Sequence, residues 1–376
     1  NSILYSKITL KYIPTMSYMV PFGSLLSPII YDIVGPVLRG IMFLNKKEKH
    51  NIVHVLHHLN SPILPLISNF DVIKKVTTIH HIPEYLDPDY EKIVKNFLVM
   101  FLGNVGNSTI KSIIYRAYTS DLGSKFLMFQ NHDVFTFRLA LRYSDAFIAV
   151  SSQTASDLRR LFYDEIKSKK IYISFHGSID FCRKISYNSL LNRKNSEKFI
   201  IGYVGAHEFR KGILILPVLA SYMKKFGLTS ERIRIEVWGK GPLSNMLYYL
   251  VKKLNVYDLI KIMGSFPRND VIKIYKNFDI QIFPTLLEGF GLPIIEAGSL
   301  GIPSLVLKIA KIPREVREVA IEASDLEDLV RKIIDFMENR DLLYEAKMKA
   351  LTQSCKFTWQ NTALTTLSAY RDLLGE

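Results

Sequence analysis

The fold and the candidate site of this chain are decided by residues 283–297, which have the sequence FPTLLEGFGLPIIEA. The apolar start predicts a buried strand that ends near Pro284, and Pro293 stands where the first turn of a helix favours proline. The glycines between them predict a loop that brings backbone N–H groups to a helix N-terminus. Such a terminus binds phosphate, because its N–H groups lack partners and the helix dipole is positive there.

Two glutamates flank the glycines of this loop. Glu288 lies at its mouth, and Glu296 lies one turn into the predicted helix. Carboxylates accept hydrogen bonds from vicinal hydroxyls, so a pair beside an anion site suits a sugar on one side and a ribose on the other. Taken singly, each is more often a solvated loop residue or a glutamate that stabilises a first helical turn.

Apolar runs of strand length alternate with amphipathic helical patterns on both sides of this stretch, which predicts βαβ units and mostly parallel sheets. The predicted strands are 52–55, 76–79, 146–150, 171–173, 199–204, 233–237, 260–263, 280–283 and 304–307. From Asp325 to the end the pattern is helical. A polar segment without periodicity, between Phe181 and Lys198, divides the 376 residues into two predicted domains.

Composition describes an ordinary globular protein, with 48% hydrophobic and 22% charged residues. The formal charge of +14 is spread evenly: residues 1–190 hold 22 basic and 14 acidic side chains, and the remainder holds 27 and 21. No arginine-rich arm, zinc-finger spacing or aromatic RNA-binding consensus accompanies it, which argues against nucleic acid. Anionic phosphate substrates or an anionic membrane surface explain the sign equally well.

Two cysteines, Cys182 and Cys355, cannot form a disulfide framework, so a reducing, cytoplasmic location is predicted. Residues 12–31 are uncharged, but three prolines interrupt them, which predicts a loop and a short helix instead of a membrane span. Residues 91–102 are apolar with a basic edge. This pattern leaves peripheral contact with the inner membrane face open beside the commoner meaning, a core helix.

The glutamate pair and the glycine core resemble those of the family 4 glycosyltransferases, whose hallmark is two glutamates with seven residues between them around Gly-Phe-Gly-Leu-Pro. Glu288 and Glu296 match that spacing, and the core is intact. The resemblance implies two Rossmann-like domains with parallel sheets that face each other across a cleft, the GT-B fold. It implies an acceptor domain over 1–185, a nucleotide-sugar domain over 186–357, and a C-terminal helix over 358–376 that crosses back to the first domain.

The segment around Gly205 and Lys211 is similar to the first turn of the family's second domain, where a lysine holds the donor diphosphate. The family usually has an arginine directly after this glycine, whereas this chain has Ala206. Arg210 or His207 is therefore the expected substitute. A solvated Lys211 is the alternative, and its place between a strand and a helix favours phosphate contact.

Further donor contacts are implied by the resemblance at two other loops. Ser265 and Phe266 occupy the place where such enzymes hold the nucleotide base, largely with backbone groups. The N–H groups near Phe290, Gly291 and Leu292 would stabilise the leaving diphosphate. A glycine-rich segment that usually follows the third-strand region is shortened to residues 308–313, and no glycine-rich first loop is recognisable.

Histidines in the first half point to the acceptor side. Residues 78–81, Thr-Ile-His-His, resemble the family's Thr-x-His-Asp strand end, which implies that His80 faces the acceptor; a satisfied core histidine is the alternative. His54 and His58 are four residues apart, but a strand is predicted over His54 and no carboxylate or cysteine completes a ligand set. We predict no metal.

The resemblance implies an enzyme that transfers a hexose from a nucleotide-diphosphate sugar to a lipid-linked, glycan or small-molecule acceptor, with retention of configuration and without a cofactor. Glu288 would orient the donor sugar, Lys211 and Arg210 would neutralise the diphosphate, Glu296 would bind the ribose, and His80 would face the acceptor. Two alternatives stay open. One is an epimerase or phosphorylase of the same fold, and the other is a catalytically weak partner subunit that binds nucleotide sugars.

Overall fold

The computed structural model describes residues 52–57, 61, 64–67, 73–103, 105–106, 108–119, 134–178 and 198–376. In these ranges the chain forms two all-parallel sheets. The first has the order β1 (Ile52–Val55), β2 (Lys74–Ile79), β3 (Ala146–Ala149), β4 (Lys170–Ile173). The second has the order β10 (Ile321–Ala323), β9 (Ser304–Leu307), β8 (Ile280–Ile282), β5 (Phe199–Val204), β6 (Ile233–Trp238), β7 (Ile260–Gly264).

Helices connect most of the strands and cover the sheets. Their bounds are Leu64–Ile67, Pro88–Leu102, Ser108–Thr119, 134–143, Ser152–Leu161, Tyr163–Ile166, Ile215–Lys225, Ser244–Lys253, Val271–Tyr275, Leu292–Ser299, Arg314–Arg317, Leu326–Glu338, Arg340–Ser354 and Trp359–Leu374. Two 3₁₀ turns cover Glu84–Leu86 and Arg268–Asp270.

The second sheet is buried on both faces, as β5 illustrates. Ile201 and Tyr203 belong to one apolar cluster, and Ile200 and Val204 belong to another. Successive side chains of a strand point to opposite faces, so these two clusters lie on opposite sides of the sheet. Helices that cover both faces of a parallel sheet produce such continuous apolar strands. The predicted α/β fold class with two parallel-sheet domains is confirmed.

Five strands (β3, β4, β6, β7 and β8) differ from the sequence prediction by one residue at one end, and two strands differ by more. β2 begins at Lys74, two residues earlier than predicted, because the ammonium of Lys75 is paired with Asp145 (3.2 Å) and its charge does not interrupt the sheet. β10 was not predicted at all. It has three residues at the edge of the sheet, too few for an alternating pattern, and it exists through its pairing with β9.

The C-terminal helix packs against the first sheet, as the resemblance implied. It begins at Trp359, where the Thr358 hydroxyl accepts a hydrogen bond from the Asn361 N–H (3.1 Å). Near its end, Asp372 accepts hydrogen bonds from Lys170 (2.9 Å) and Tyr172 (2.5 Å) of β4. The last helix therefore belongs spatially to the half of the molecule that comes first in sequence.

The predicted domain boundary falls within residues 179–197, which lie outside the described residues, so it stays a prediction. The helix Pro88–Leu102 buries Val94, Phe97 and Phe101 in the core, which favours the core-helix interpretation over the membrane-surface one. Among the described helices, none combines the length and the apolarity needed to cross a bilayer. Cys355 is disulfide-bonded, so the cysteine count is no argument for a reducing compartment, and the cytoplasmic location stays a prediction.

Candidate active site

Four loops of the second domain meet at the carboxyl ends of its strands, the usual position of a ligand site in an open α/β sheet. The Gly205 N–H after β5 donates to the Trp238 carbonyl (3.1 Å), and the Gly239 N–H after β6 donates to the Gly264 carbonyl (2.8 Å). These bonds join the three loops after β5, β6 and β7. The fourth loop follows β8 and carries the glycines and glutamates of the sequence motif.

The motif loop leads into the helix Leu292–Ser299 through Gly291, whose φ of 109° and ψ of 46° lie in the left-handed region that favours glycine. The Ile294 N–H makes the first backbone hydrogen bond of this turn, to the Gly291 carbonyl (3.0 Å). The N–H groups of Phe290, Gly291 and Leu292 precede that bond. Within the described residues these N–H groups make no backbone hydrogen bond, so they are available to an anion; that they bind one stays a prediction.

Glu288 and Lys211 form a buried ion pair beside this helix terminus. The Lys211 Nζ donates to the Glu288 Oε1 (2.6 Å), and the Thr285 hydroxyl donates to the same oxygen (2.6 Å). Burial acts to raise the pKa of the Glu288 carboxyl, but the cations of Lys211 and Arg210 outweigh it and hold that pKa below its ordinary value. A glutamate and a lysine 77 positions apart in the chain thus form one charged unit.

Arg210 also contacts Glu288 and the motif loop. Its Nη1 donates to the Leu287 carbonyl (3.0 Å) and lies 3.6 Å from the Glu288 Oε1, while its Nε lies 2.6 Å from the Glu84 Oε1. Glu84 belongs to the first half of the chain, and the sequence analysis missed it. Nothing in the local sequence distinguishes it from a solvated glutamate, because its partner is supplied by the other domain.

Glu296, the second glutamate of the motif, is buried in the helix Leu292–Ser299. Its Oε1 accepts a hydrogen bond from Arg268 (3.0 Å), and its Oε2 accepts one from the Tyr275 hydroxyl (3.3 Å). Burial raises the pKa of the Glu296 carboxyl, and the exposed Arg268 opposes this shift only in part. Arg268 was also missed, although it lies only two residues after the predicted base-binding residue Phe266.

The predicted base-binding residues lie in the loop after β7. The Phe266 ring packs edge-to-face against Trp238 with centroids 5.9 Å apart, and the Ser265 side chain is exposed. An exposed hydroxyl beside a fixed aromatic ring suits a planar base at this edge. Arg210 and Lys211 lie in the loop after β5, Glu288 lies in the loop after β8, and Glu296 lies in the helix that follows that loop.

His80 meets the motif loop from the first domain. Its carbonyl oxygen lies only 1.6 Å from the position that a Cβ on Gly289 would take, so this close approach requires glycine. The His80 Nε2 lies 2.7 Å from the Leu56 carbonyl, which only accepts, so this nitrogen carries the hydrogen. Its Nδ1 lies 3.1 Å from the His176 Nε2. His80 therefore lies at the domain contact with both ring nitrogens engaged by protein groups.

The two substitutes considered for the missing arginine have different surroundings. His207 is buried, its Nδ1 lies 2.9 Å from the Ser244 hydroxyl, and burial lowers its pKa. Arg210, in contrast, contacts the motif loop directly. The structure thus brings Arg210, and not His207, to Glu288.

The shortened segment 308–313 takes part in the domain contact. The Glu288 N–H donates to the Lys311 carbonyl (2.9 Å). The Lys311 ammonium contacts three carboxylates of the first domain, from Asp87 (2.6 Å), Asp157 (3.0 Å) and Asp89 (3.3 Å). Where the family usually has glycines, this chain has a lysine that links the two domains.

The histidines show no metal geometry in the part of the chain that the structure describes, where no group of three or more histidine, cysteine, aspartate or glutamate residues could hold an ion. The His54 ring nitrogens contact the Thr78 hydroxyl (2.7 Å) and the Tyr370 hydroxyl (2.5 Å). His58 lies outside the described residues. The expectation that the reaction needs no metal stays a prediction.

Two curated relatives of this chain are named mannosyltransferases. The O-antigen chain mannosyltransferase B of Escherichia coli is 28% identical over 172 residues, which are 45% of this chain and 45% of that protein. The serotype-specific mannosyltransferase WbdA of Escherichia coli is 33% identical over 113 residues, which are 30% of this chain and 14% of that protein. The chain thus matches less than half of the length of either relative.

Two solved structures share the fold. The sucrose-phosphate synthase from Thermosynechococcus elongatus has a TM-score of 0.65 at 17% identity, with 95% of this chain and 81% of that chain covered. Anabaena Alr3699/HepE in complex with UDP and glucose has a TM-score of 0.61 at 14% identity, with 95% and 84% covered. Residues 191–353 match the family described as glycosyl transferases group 1. The chain therefore carries, over residues 191–353, a domain of the group 1 glycosyl transferase family.

Proposed function

We propose that this protein is a glycosyltransferase that moves a hexose from a nucleotide-diphosphate sugar to an acceptor, with retention of configuration. The observation that carries the proposal is the Lys211–Glu288 pair beside the N-terminus of the helix Leu292–Ser299. These groups suit a sugar diphosphate. The Lys211 cation can pair with the phosphate charge, the Glu288 carboxylate can accept hydrogen bonds from sugar hydroxyls, and the N–H groups of the helix start can donate to phosphate oxygens.

The proposed roles of the site residues follow from the charges that develop during the reaction. Breaking the bond between the sugar and the diphosphate leaves positive charge on the sugar and negative charge on the departing oxygen. Lys211, Arg210 and the N–H groups near Gly291 stabilise the leaving group, because these donors are already oriented before the reaction. Glu288 orients the sugar, Glu296 holds the ribose, and His80 stands on the acceptor side.

The proposal is tested by donor turnover. We would screen nucleoside-diphosphate hexoses by thermal shift, mannose donors included because two relatives are named mannosyltransferases. The best donor is then incubated with glycan and lipid-linked acceptors. We expect an acceptor-dependent glycosylated product whose anomeric configuration is that of the donor.

The same assay separates the alternatives. An altered sugar nucleotide without an acceptor product would identify an epimerase, and phosphate-dependent release would identify a phosphorylase. Donor binding without any turnover would favour the weak partner subunit. An inverted anomeric configuration in the product would contradict the retaining part of the proposal.

Transfer is expected to proceed without a divalent cation, because Lys211, Arg210 and a helix terminus supply the positive charge that a metal would otherwise bring. The measurement is the rate of transfer after treatment with EDTA. We expect an unchanged rate. Complete loss of activity that manganese or magnesium specifically restores would contradict this prediction.

Glu296→Ala is expected to weaken binding of the bare nucleoside diphosphate, because the carboxylate should accept hydrogen bonds from ribose hydroxyls whether or not a sugar is attached. Since burial raises the pKa of Glu296, its carboxylate form is lost at a higher pH than for an ordinary glutamate. Wild-type affinity should therefore fall as the pH is lowered through that raised pKa. Calorimetry across pH checks both statements, and unchanged affinity of Glu296→Ala at neutral pH would remove this residue from the site.

A further inference from the structure

The charges at the proposed diphosphate site come from both domains. Arg210 and Lys211 provide two positive charges, and Glu288 and Glu84 provide two negative ones. The Arg210 and Glu84 side chains are 19% and 17% exposed, so their contact is largely shielded from solvent. A third carboxylate, that of the more exposed Glu208, lies 3.9 Å from the Arg210 Nη2. Two cations therefore face three carboxylates in the cleft, and one of these, Glu84, belongs to the opposite domain.

The Glu84 contact uses a particular edge of the Arg210 guanidinium. The Nε lies 2.6 Å from Glu84, and the Nη1 donates to the Leu287 carbonyl (3.0 Å). A guanidinium binds a phosphate or a carboxylate with two parallel N–H groups of one edge. Because Nη1 is held by the motif loop, the edge that contains Nε is the one that can turn to an anion. Glu84 is bound to that edge.

The first domain holds Glu84 in this position. Glu84 begins the 3₁₀ turn Glu84–Leu86, which closes with the Asp87 N–H donating to the Glu84 carbonyl (3.2 Å). Asp87 is in turn bound to Lys311 of the second domain (2.6 Å). A short, anchored turn thus places the carboxylate against Arg210 whenever the two domains are in contact.

We propose that Glu84 is a residue of the donor site supplied by the first domain, and that its carboxylate occupies on Arg210 the position of a donor phosphate. This inference rests on the proposed function, because it takes Arg210 as a diphosphate ligand. A phosphate that binds Arg210 has to displace Glu84. Its release removes one of the three negative charges that face Arg210 and Lys211, which favours the incoming diphosphate.

The displacement couples donor binding to the domain contact. A ligand shifts an equilibrium only by its differential affinity for the two states, and the coupling is reciprocal. Donor binding that frees Glu84 from Arg210 therefore removes one ion pair between the domains. Conversely, a more stable Glu84–Arg210 ion pair lowers the affinity for the donor. Glu84 reduces donor affinity as a consequence of the contact that it makes.

The test compares two carboxylate-to-amide variants by calorimetry with UDP, ADP and GDP. Glu84→Gln removes the charge on Arg210. Asp89→Asn is the matched control, since Asp89 also pairs across the domains, with Lys311 (3.3 Å), and the net charge changes equally. We expect Glu84→Gln to tighten binding of the recognised nucleoside diphosphate by about tenfold, within the range of site-to-site coupling, and Asp89→Asn to stay within about twofold of wild type.

A second variant guards against an indirect effect of Glu84→Gln on folding. Glu84→Asp keeps the charge and withdraws it by one methylene, so its affinity should lie between those of the wild type and Glu84→Gln. Two results would overturn this inference and leave the proposed function standing. In the first, the wild type binds a nucleoside diphosphate and Glu84→Gln binds it with the same affinity. In the second, Asp89→Asn gains as much affinity as Glu84→Gln. Absence of binding of all three nucleotides to the wild type would overturn both.

Discussion

Lys211→Ala is expected to lower the turnover of sugar transfer by about 10²–10³, the scale for losing one preorganised electrostatic donor in a transition state. The ammonium is positioned before the reaction by its 2.6 Å contact with Glu288 and is shielded from water. Negative charge grows on the leaving diphosphate as the bond breaks, so the loss should appear in kcat. Affinity for the bare nucleoside diphosphate should fall as well, because part of that charge is present in the ground state.

The measurement is steady-state kinetics with the true donor, together with calorimetry using the nucleoside diphosphate. Lys252→Ala is the matched control, because Lys252 is an exposed lysine at the end of the helix Ser244–Lys253, away from the carboxyl ends of the strands. We expect the control to keep wild-type rates. A kcat of Lys211→Ala close to that of the control would contradict the leaving-group role.

Glu288→Gln is expected to lower transfer by about 10- to 100-fold, the equivalent of losing the charge on one hydrogen-bond acceptor for the sugar hydroxyls. Unlike Lys211→Ala, it should not weaken binding of the bare nucleoside diphosphate. The amide oxygen still accepts from Lys211 and Thr285, so the lysine stays in place, and a negative charge that competes with the phosphates is gone. Binding should therefore be no weaker than in the wild type.

The comparison needs two variants and two ligands. Wild-type transfer by Glu288→Gln, or a loss of diphosphate affinity as large as that of Lys211→Ala, would show that the roles are not divided in this way.

A third variant, Glu288→Ala, is expected to lower the stability of the protein. It leaves the buried Lys211 without its carboxylate, which should lower the free energy of unfolding by about 3–5 kcal/mol in a denaturant titration.

Local sequence was sufficient for elements whose pattern repeats over several residues. The apolar run Phe199–Val204 gives β5 with the predicted bounds, and Pro293 with Gly291 gives the start of the motif helix. Local sequence failed where an element depends on a neighbour. The predicted strand began at Val76, yet Lys74 and Lys75 also pair with β1, because Asp145 neutralises Lys75.

The residues of the candidate site also fall into those that local sequence indicates and those that only folding brings together. Glu288, Glu296 and Lys211 were predictable because each lies in a recognisable strand–loop–helix segment. Their partners were less accessible to the sequence analysis. Arg268 contacts Glu296 from a 3₁₀ turn, and Glu84 contacts Arg210 from another domain, so neither carries a signal in its own surroundings.

The sequence by itself determined the alternation of strands and helices, the two-domain α/β class, the glycine-rich helix start and the residue types at the proposed anion site. These depend on side-chain periodicity and on the backbone conformations that proline and glycine allow. The tertiary structure alone decided which groups meet. Lys211 pairs with Glu288, Arg210 pairs with Glu84, and the His80 carbonyl approaches Gly289. The physical reason is that electrostatic contacts depend on distance in space, and folding brings together groups that lie from 77 to more than 200 positions apart in the chain.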